Sequence, residues 1–337
     1  VLESFITPDT ASIYWKMKTM VPIEDILNYA VHAPSGDNSQ PWAFRVSDCA
    51  VEIFNKKDAD ETLYNYKQRG SFFAHGALVE NIVIIARHKG FSVRVSPFPA
   101  HECIARIDFT EGERESSRLY DAIGERCTNR KPYDGRQLSS EHRSSLLSSV
   151  GANVLRMQEG KDIIAMLARA IATNEEVLME NKEMHDFLFN MIRYTTSQEK
   201  KRPGLYIKTM EFPGPVQIAF RTLIRFWPVV RFLNLFGFSK SIPKESAPVY
   251  RSSSAIAAII QNGTADLDFF NSGRAFQRVW LSATSLGLSI QPTTAIPYLM
   301  QRVHTGEISS LSKKHVEKIQ SAHETIARNF NVREHET

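Results

Sequence analysis

Between Pro22 and Phe109 the apolar residues switch from a helical period to alternation twice over. Pro22 opens "PIEDILNYAVHA", in which Ile23, Ile26, Leu27 and Ala30 recur at helical spacing, and proline suits a first helical turn. "AFRVS" and "AVEIFN" then alternate as two strands around a turn at Asp48. "SFFAHGALVENIVIIARHKG" reads as a long apolar helix stopped by Gly90, and "FSVRVSPF" and "CIARIDF" alternate again. Strands interleaved with a larger share of helix imply a layered α+β or α/β architecture.

The rest of the chain continues the pattern. "SRLYDAIGER" predicts a helix, and "SSEHRSSLLSSVG" another, with Ser140 as its N-cap. "ANVLRMQ" reads as a strand, followed by helices over Asp162–Met179 and Lys182–Tyr194 and a charged loop, "TTSQEKKRPGL". "GPVQIAFRTLIRFWPVVRFLNLFGF" predicts a helical pair kinked at Pro228. "SSAIAAIIQ" reads as a buried strand, and "DLDFFNSGRAFQRVWLSATSLG" as a helix capped by Asp266 and ended by Gly287. Two short helices finish the chain. The order helix, loop, strand, helix, strand recurs crudely, without a strict sequence repeat.

Composition narrows the function classes. With 42% apolar and 23% charged residues the chain is globular in type, and a net charge of +4 suits an anionic small ligand rather than nucleic acid. Cys49, Cys103 and Cys127 are scattered and form no metal-binding spacing, so no metal and a reducing compartment are expected. "VLESFITPDT" has neither the basic nor the apolar part of a secretory leader. The greasiest run, "FWPVVRFLNLFGF", is shorter than the ~20 residues of a membrane span and contains Pro228 and Arg231. A cytoplasmic protein is the expectation.

Three polar constellations stand out. In "APSGDNSQPW" (Ala33–Trp42), Pro34 stiffens the backbone, Gly36 permits close approach, and Ser35, Asn38 and Gln40 carry groups that both donate and accept hydrogen bonds. Such a set suits the edge of a heteroaromatic ring, with Trp42 as anchor; the plainer reading is a helix-ending turn whose Ser and Asn cap backbone groups. In "RCTNR", Arg126 and Arg130 flank Thr128 and Asn129, a plausible phosphate clamp or else a solvated basic turn. In "GLSIQPTTAIP", Pro292, Thr293, Thr294 and Ala295 follow a helix-ending glycine, where backbone N–H groups can face a ligand or simply form a connecting loop.

Taken together these residues resemble the nitroreductase-like flavoenzyme superfamily. Pro34, Ser35, Asn38, Gln40, Pro41 and Trp42 match its Pro-Ser loop and "N-x-Q-P-W" element. Arg126, Thr128 and Arg130 match its "R-x-[ST]-x-[RK]" phosphate element, and "GRAFQRVWLSATSLGLSIQP" is similar to its late helix. The resemblance spans about residues 22–300. Common members place the Arg-Ser element before the Pro-Ser loop in a short subunit and build each flavin site across a homodimer. Here only "YWKMK" precedes Pro22, and the second half carries "SSVGANVL" where a Pro-Ser loop would stand. The order implies an internally duplicated chain, an α+β pseudo-dimer of two halves, each with a central, mostly antiparallel sheet flanked by helices. The halves are residues 1–125, with the Pro-Ser loop, and 126–337, with the phosphate clamp and a lid over 195–245. A longer branch of the superfamily, found in mycobacteria and other bacteria, looks organised this way.

The resemblance implies one FMN between the halves. Arg126, Thr128, Asn129 and Arg130 would hold its phosphate, and Pro34, Ser35, Gly36, Asn38 and Gln40 its ring and ribityl chain. Pro292, Thr293, Thr294 and Ala295 would approach the N5 side. It implies an FMN-dependent oxidoreductase acting on a small organic substrate, with NAD(P)H as a transient donor; the alternatives are a non-catalytic FMN-binding or FMN-sequestering protein, and a structural partner with a decayed site. No side chain is assigned as acid or base; Tyr194, His185 and Tyr206 are candidates only because they border the lid. Phe212–Phe238 is the expected substrate cover, or else core packing. A membrane-surface role is its lesser reading, although basic amphipathic helices do bind anionic lipid. Family members usually end with an Arg reaching the phosphate, a part Arg328 or Arg333 could take. Internal duplication means a monomer suffices, and a homodimer stays open.

Overall fold

A computed structural model describes residues 21–151, 154–201, 203–333 and 336. The expectations for "VLESFITPDT" and "YWKMK" lie outside the described residues. The first half runs α1 (Ile23–Ala30), β1 (Trp42–Ser47), β2 (Ala50–Asn55), α2 (Arg69–His88), β3 (Phe91–Ala100), β4 (Cys103–Glu111) and α3 (Arg118–Glu125). The strands form one antiparallel sheet in the order β1-β2-β4-β3. Alternation sets its inner face: Val51 pairs with Ile107 and Ile53 with Ala105, all buried. Ile26 of α1 and Leu78, Ile82 and Ile85 of α2 close this core.

The second half comprises α4 (Ser140–Val150), β5 (Leu155–Gln158), α5 (Lys161–Glu180), α6 (Lys182–Met191), β6 (Ile192–Arg193), α7 (Thr196–Lys201) and β7 (Leu205–Tyr206). It continues with α8 (Gly214–Ala219), a π-helical turn (Phe220–Ile224), α9 (Trp227–Asn234), α10 (Phe238–Arg251), β8 (Ile256–Ile259), α11 (Asp266–Ser285), α12 (Ala295–Thr305) and α13 (Lys313–Asn329). The mixed helix and antiparallel sheet is an α+β arrangement. The two halves are unequal in sheet: among the described residues the second has an antiparallel pair, β5 with β8, and a two-residue parallel pair, β6 with β7.

Several local expectations shift. Ser139, not Ser140, caps α4, its Oγ accepting from the His142 N–H at 3.0 Å. The N-cap of α11 is Ala265, whose N–H donates to Asp268 Oδ2 at 2.8 Å. Pro228 lies in the first turn of α9, where its missing N–H costs nothing, and the break falls just before it at Arg225–Phe226. β8 is half-exposed rather than buried, because only β5 pairs with it and all four of its residues line a cavity. The final helix is 17 residues long rather than short.

The segments before and after residue 125 pack together where α2 crosses α11. A Cβ on Gly76 would sit 1.9 Å from the Phe270 carbonyl oxygen, and a Cβ on Gly273 would sit 1.9 Å from that of Phe73. The contact is reciprocal: each glycine meets the backbone three residues before the other. Phe270 and Leu281 of α11 thereby complete the core built on α2. Beside the crossing, buried Glu80 accepts from Arg274 Nε at 3.0 Å and from Arg278, and Gln277 Nε2 donates to Asn81 Oδ1 at 2.7 Å. A buried carboxylate is stable here because two guanidiniums meet it. Among the described residues, no helix is long and apolar enough to cross a membrane.

Candidate functional site

A cavity of about 1950 Å³ brings the three polar constellations together. Pro34, Ser35, Gly36, Asn38 and Gln40 line it, as do Arg126, Thr128, Asn129, Arg130, Pro292, Thr293, Thr294 and Ala295.

The loop after α1 is tightly wound. Asp37, Asn38 and Gln40 have φ of 46°, 56° and 49°, a left-handed region that Asn and Asp enter more readily than most residues. Ser35 Oγ accepts from the Gln40 N–H at 3.0 Å, so part of the loop's polar chemistry holds the loop itself. Asn38 reaches across the cavity rim: its Nδ2 donates to the Gly204 carbonyl at 3.0 Å, and the Gly204 N–H returns to the Asn38 carbonyl at 3.2 Å. Gly204 has φ of 130°, and a Cβ there would strike the Met191 carbonyl oxygen at 2.3 Å, so only glycine fits. Trp42 is buried edge-on to His75 and anchors the end of the loop.

Arg126 ends α3. Its Nη2 donates to the His32 carbonyl at 2.8 Å, its guanidinium lies 4.3 Å from the centre of the Trp280 ring, and its Nε is buried without a partner. Arg130 Nη1 donates to the Thr209 carbonyl at 3.2 Å. Among the described residues neither arginine forms an ion pair, and both are bound to neutral carbonyls. Burial lowers the Arg126 pKa to about 10 and also depresses that of Arg130, against the pull of Asp37. Desolvated cations without a paired carboxylate favour an anionic ligand. Thr128 forms a parallel bridge with Ile290, and the Asn129 N–H donates to the Ile290 carbonyl at 3.0 Å, which ties the clamp to the loop after α11. The Asn129 side chain is spent locally: Nδ2 donates to the Lys131 carbonyl, and Oδ1 accepts from the Lys131 N–H. Thr294 is the N-cap of α12 and makes no side-chain cap.

Other lining groups are not among the residues singled out from the sequence. Burial pushes the Asp37 carboxyl up to about 6, with Asp60 adding to the rise and Arg130 opposing it. Burial also raises Glu175, on α5, to about 7. Its Oε1 accepts from the Tyr250 hydroxyl at 2.7 Å, while its Oε2 is buried without a partner. Tyr64 donates to Asn174 Oδ1 at 2.9 Å on the same wall. Asp37 sits inside the loop singled out by its composition, whereas Asn174 and Glu175 are two polar residues in an otherwise ordinary helix.

The three acid–base candidates separate. His185 is fully buried, with Nε2 2.8 Å from the Ile224 carbonyl and its ring edge-on to Trp227; it is a packed core histidine away from the cavity. Tyr194 packs under Arg225 and does not line the cavity either, whereas Tyr206 does. The cover also differs from the expectation. Residues lining the cavity come from a strap over 199–211, including Leu205, Tyr206 and Thr209, and none come from Phe212–Phe238. That segment packs its inner side on α5 and α6 through Phe220, Ile224 and Val230. Neither Arg328 nor Arg333 lines the cavity. Among the described residues no cluster of three or more His, Cys, Asp or Glu could hold a metal.

No family model matches the chain. It is 22% identical over 292 residues to "Uncharacterized protein MT1398" of Mycobacterium tuberculosis, a match covering 81% of this chain and 39% of that protein. It is 29% identical over 189 residues to "Putative NAD(P)H nitroreductase acg" of the same species, covering 54% of this chain and 55% of that one. A further match, 26% over 116 residues, is to "Putative NAD(P)H nitroreductase Rv3131", covering 33% and 34%. The chain thus spans between about a third and just over half the length of these relatives, two of which carry the name putative NAD(P)H nitroreductase.

Proposed function

We propose that the chain is an FMN-dependent oxidoreductase of the nitroreductase kind, with one flavin held between two related halves divided near residue 125. The observation that carries the reading is the convergence of three distant segments, 34–40, 126–130 and 292–295, on one cavity whose two arginines form no ion pair among the described residues. The reciprocal glycine crossing of α2 and α11 supports a pseudo-twofold between the halves, as an isologous interface requires.

The residues present fit the cofactor. Arg126 and Arg130 would neutralise the phosphate, with Thr128 adding a hydroxyl. Gly36 and the left-handed backbone through Asn38 would let the loop approach the ring, with the Gln40 N–H to Ser35 Oγ hydrogen bond bracing it. The N–H groups at the start of α12, beside Thr293 and Thr294, would favour negative charge at that end of the ring. FMN, when bound, supplies the hydride acceptor and donor. The Glu175 carboxyl, held near neutrality, and the Tyr250 hydroxyl keep an exchangeable proton in the cavity. Residues 203–211 are fastened to the loop through Gly204–Asn38 and to the clamp through Thr209–Arg130, and would cover that side of the bound cofactor.

A cofactor-sequestering role is the rival reading, and that fastened strap favours it. The cavity size favours turnover: small-molecule sites are roughly 300–1,000 Å³, and about 1950 Å³ leaves space for a second molecule, a small organic substrate or a transient NAD(P)H. The test is FMN and riboflavin titration of the wild type and of Arg130→Ala. Losing a charged hydrogen-bonding partner costs about 1.5–3 kcal/mol, or roughly 10- to 150-fold in FMN affinity, with riboflavin unaffected. Equal losses for both ligands would misplace the phosphate, and a wild type that binds neither would end the flavin reading. Anaerobic addition of NAD(P)H followed by an acceptor screen then separates enzyme from store.

A further inference from the structure

We infer that the outer face of residues 216–240 docks in the plane of an anionic lipid bilayer surface. Ten large hydrophobic residues are exposed among the described residues, and seven of them lie between Val216 and Phe236. Leu235 is 78% exposed, Phe236 76%, Ile218 63% and Phe232 59%. Scattered exposed leucines are ordinary, but a contiguous group on one segment marks a contact surface. The segment is apolar on two sides. Its inner side packs Phe220, Ile224 and Val230 against Met179, Phe189 and Ile207, which leaves the outer hydrophobes with no core to join.

The charge on this face names the occupant. Arg221, Arg225, Arg231 and Lys240 are all exposed, and no acidic residue occurs between Glu211 and Glu245. None of these four cations forms an ion pair among the described residues. A second copy meeting this face isologously would set like charges against each other. A nucleic acid would satisfy the cations but leave Ile218, Leu223 and Leu235 in water. A bilayer with anionic headgroups supplies both halves of the complement: phosphates for the arginines and an acyl boundary for the side chains between them. The helices are too short to span, so the contact is interfacial. The strap that lines the cavity runs directly into this face, so docking would place the cavity's cover beside the lipid. The inference does not depend on the flavin reading.

The experiment is flotation of the full chain with vesicles of phosphatidylcholine alone and of phosphatidylcholine mixed with phosphatidylglycerol. The wild type should float with the mixed vesicles, remain behind with the neutral ones, and be released by high salt. Leu235→Ser with Phe236→Ser should lower partitioning by at least about a hundredfold. Arg231→Gln with Lys240→Gln should lower binding to mixed vesicles by about thirtyfold. All four side chains project into solvent, and an unchanged circular dichroism spectrum checks that the variants fold. Wild type that stays in the aqueous fraction with both vesicle types overturns the inference, as does unchanged binding by the Leu235/Phe236 variant. A concentration-dependent dimer abolished by that variant would overturn it too, assigning the face to a second copy.

Discussion

The glycine crossing of α2 and α11 gives a sharp quantitative expectation. In Gly273→Ala the new Cβ would lie 1.9 Å from the Phe73 carbonyl oxygen and 2.7 Å from its carbon. Ordinary carbon–oxygen contacts lie at about 3.4 Å, so the helices must part by roughly 1.5 Å. The obstacle is backbone, so no rotamer change relieves it. Overpacking of this kind costs about 1–3 kcal/mol, and the upper end applies to a backbone clash between two buried helices; alanine returns about 1 kcal/mol through helix propensity. The net loss should be about 2 kcal/mol. Gly76→Ala meets the Phe270 carbonyl oxygen at the same 1.9 Å and should cost about the same. A separation that admits one methyl largely admits the other, and the second alanine returns its own helix propensity, so the double variant should cost about 1 kcal/mol, less than either single one, a coupling of about 3 kcal/mol. Urea unfolding of the four proteins measures this directly. Singles within about 0.5 kcal/mol of wild type, or a strictly additive double variant, would refute a shared close crossing.

Other expectations follow from the cavity. Glu175 has a folded-state pKa raised from 4.5 to about 7, so its contribution is fully present below about 4.5 and lost as pH rises through 7. Glu175→Gln should therefore be more stable than wild type above pH 7, by up to about 3 kcal/mol, and the gap should close in acid; a pH-independent difference would refute the burial account. His75, pushed down to about 4 by burial, tilts the wild-type profile the opposite way, so the difference between the two proteins is the readout. Cys127 is exposed, lies in the clamp and lines the cavity, so saturating FMN should slow its alkylation relative to exposed Cys49; equal rates with and without FMN would place the ligand elsewhere.

The local grammar of the fold was legible because it rests on nearest neighbours. Helix α1 stops before Pro34, α2 ends at Gly90, and the antiparallel strands alternate as their residues do. The candidate site was legible as three loops for the same reason, each being a dense polar break between apolar runs. What joins them was not. The Thr128–Ile290 bridge, the Asn38–Gly204 pair and the Glu175–Tyr250 hydrogen bond link residues that no window of sequence contains together. Phe212–Phe238 misled for a related reason. Composition shows that a segment is greasy but not which of its sides meets the core, and here one side remains bare.

The rim of the cavity is stitched by contacts of very long reach. Asn38 and Gly204 are 166 residues apart, His32 and Arg126 are 94 apart, and Thr128 and Ile290 are 162 apart. Each closes a large loop, whose entropy must be surrendered before the contact returns anything. The expected order is that the larger apolar contact of α2 with α11 forms first and these single stitches close after it. Ligand added during refolding should accordingly leave the early kinetic phases untouched and slow only the unravelling of the finished molecule.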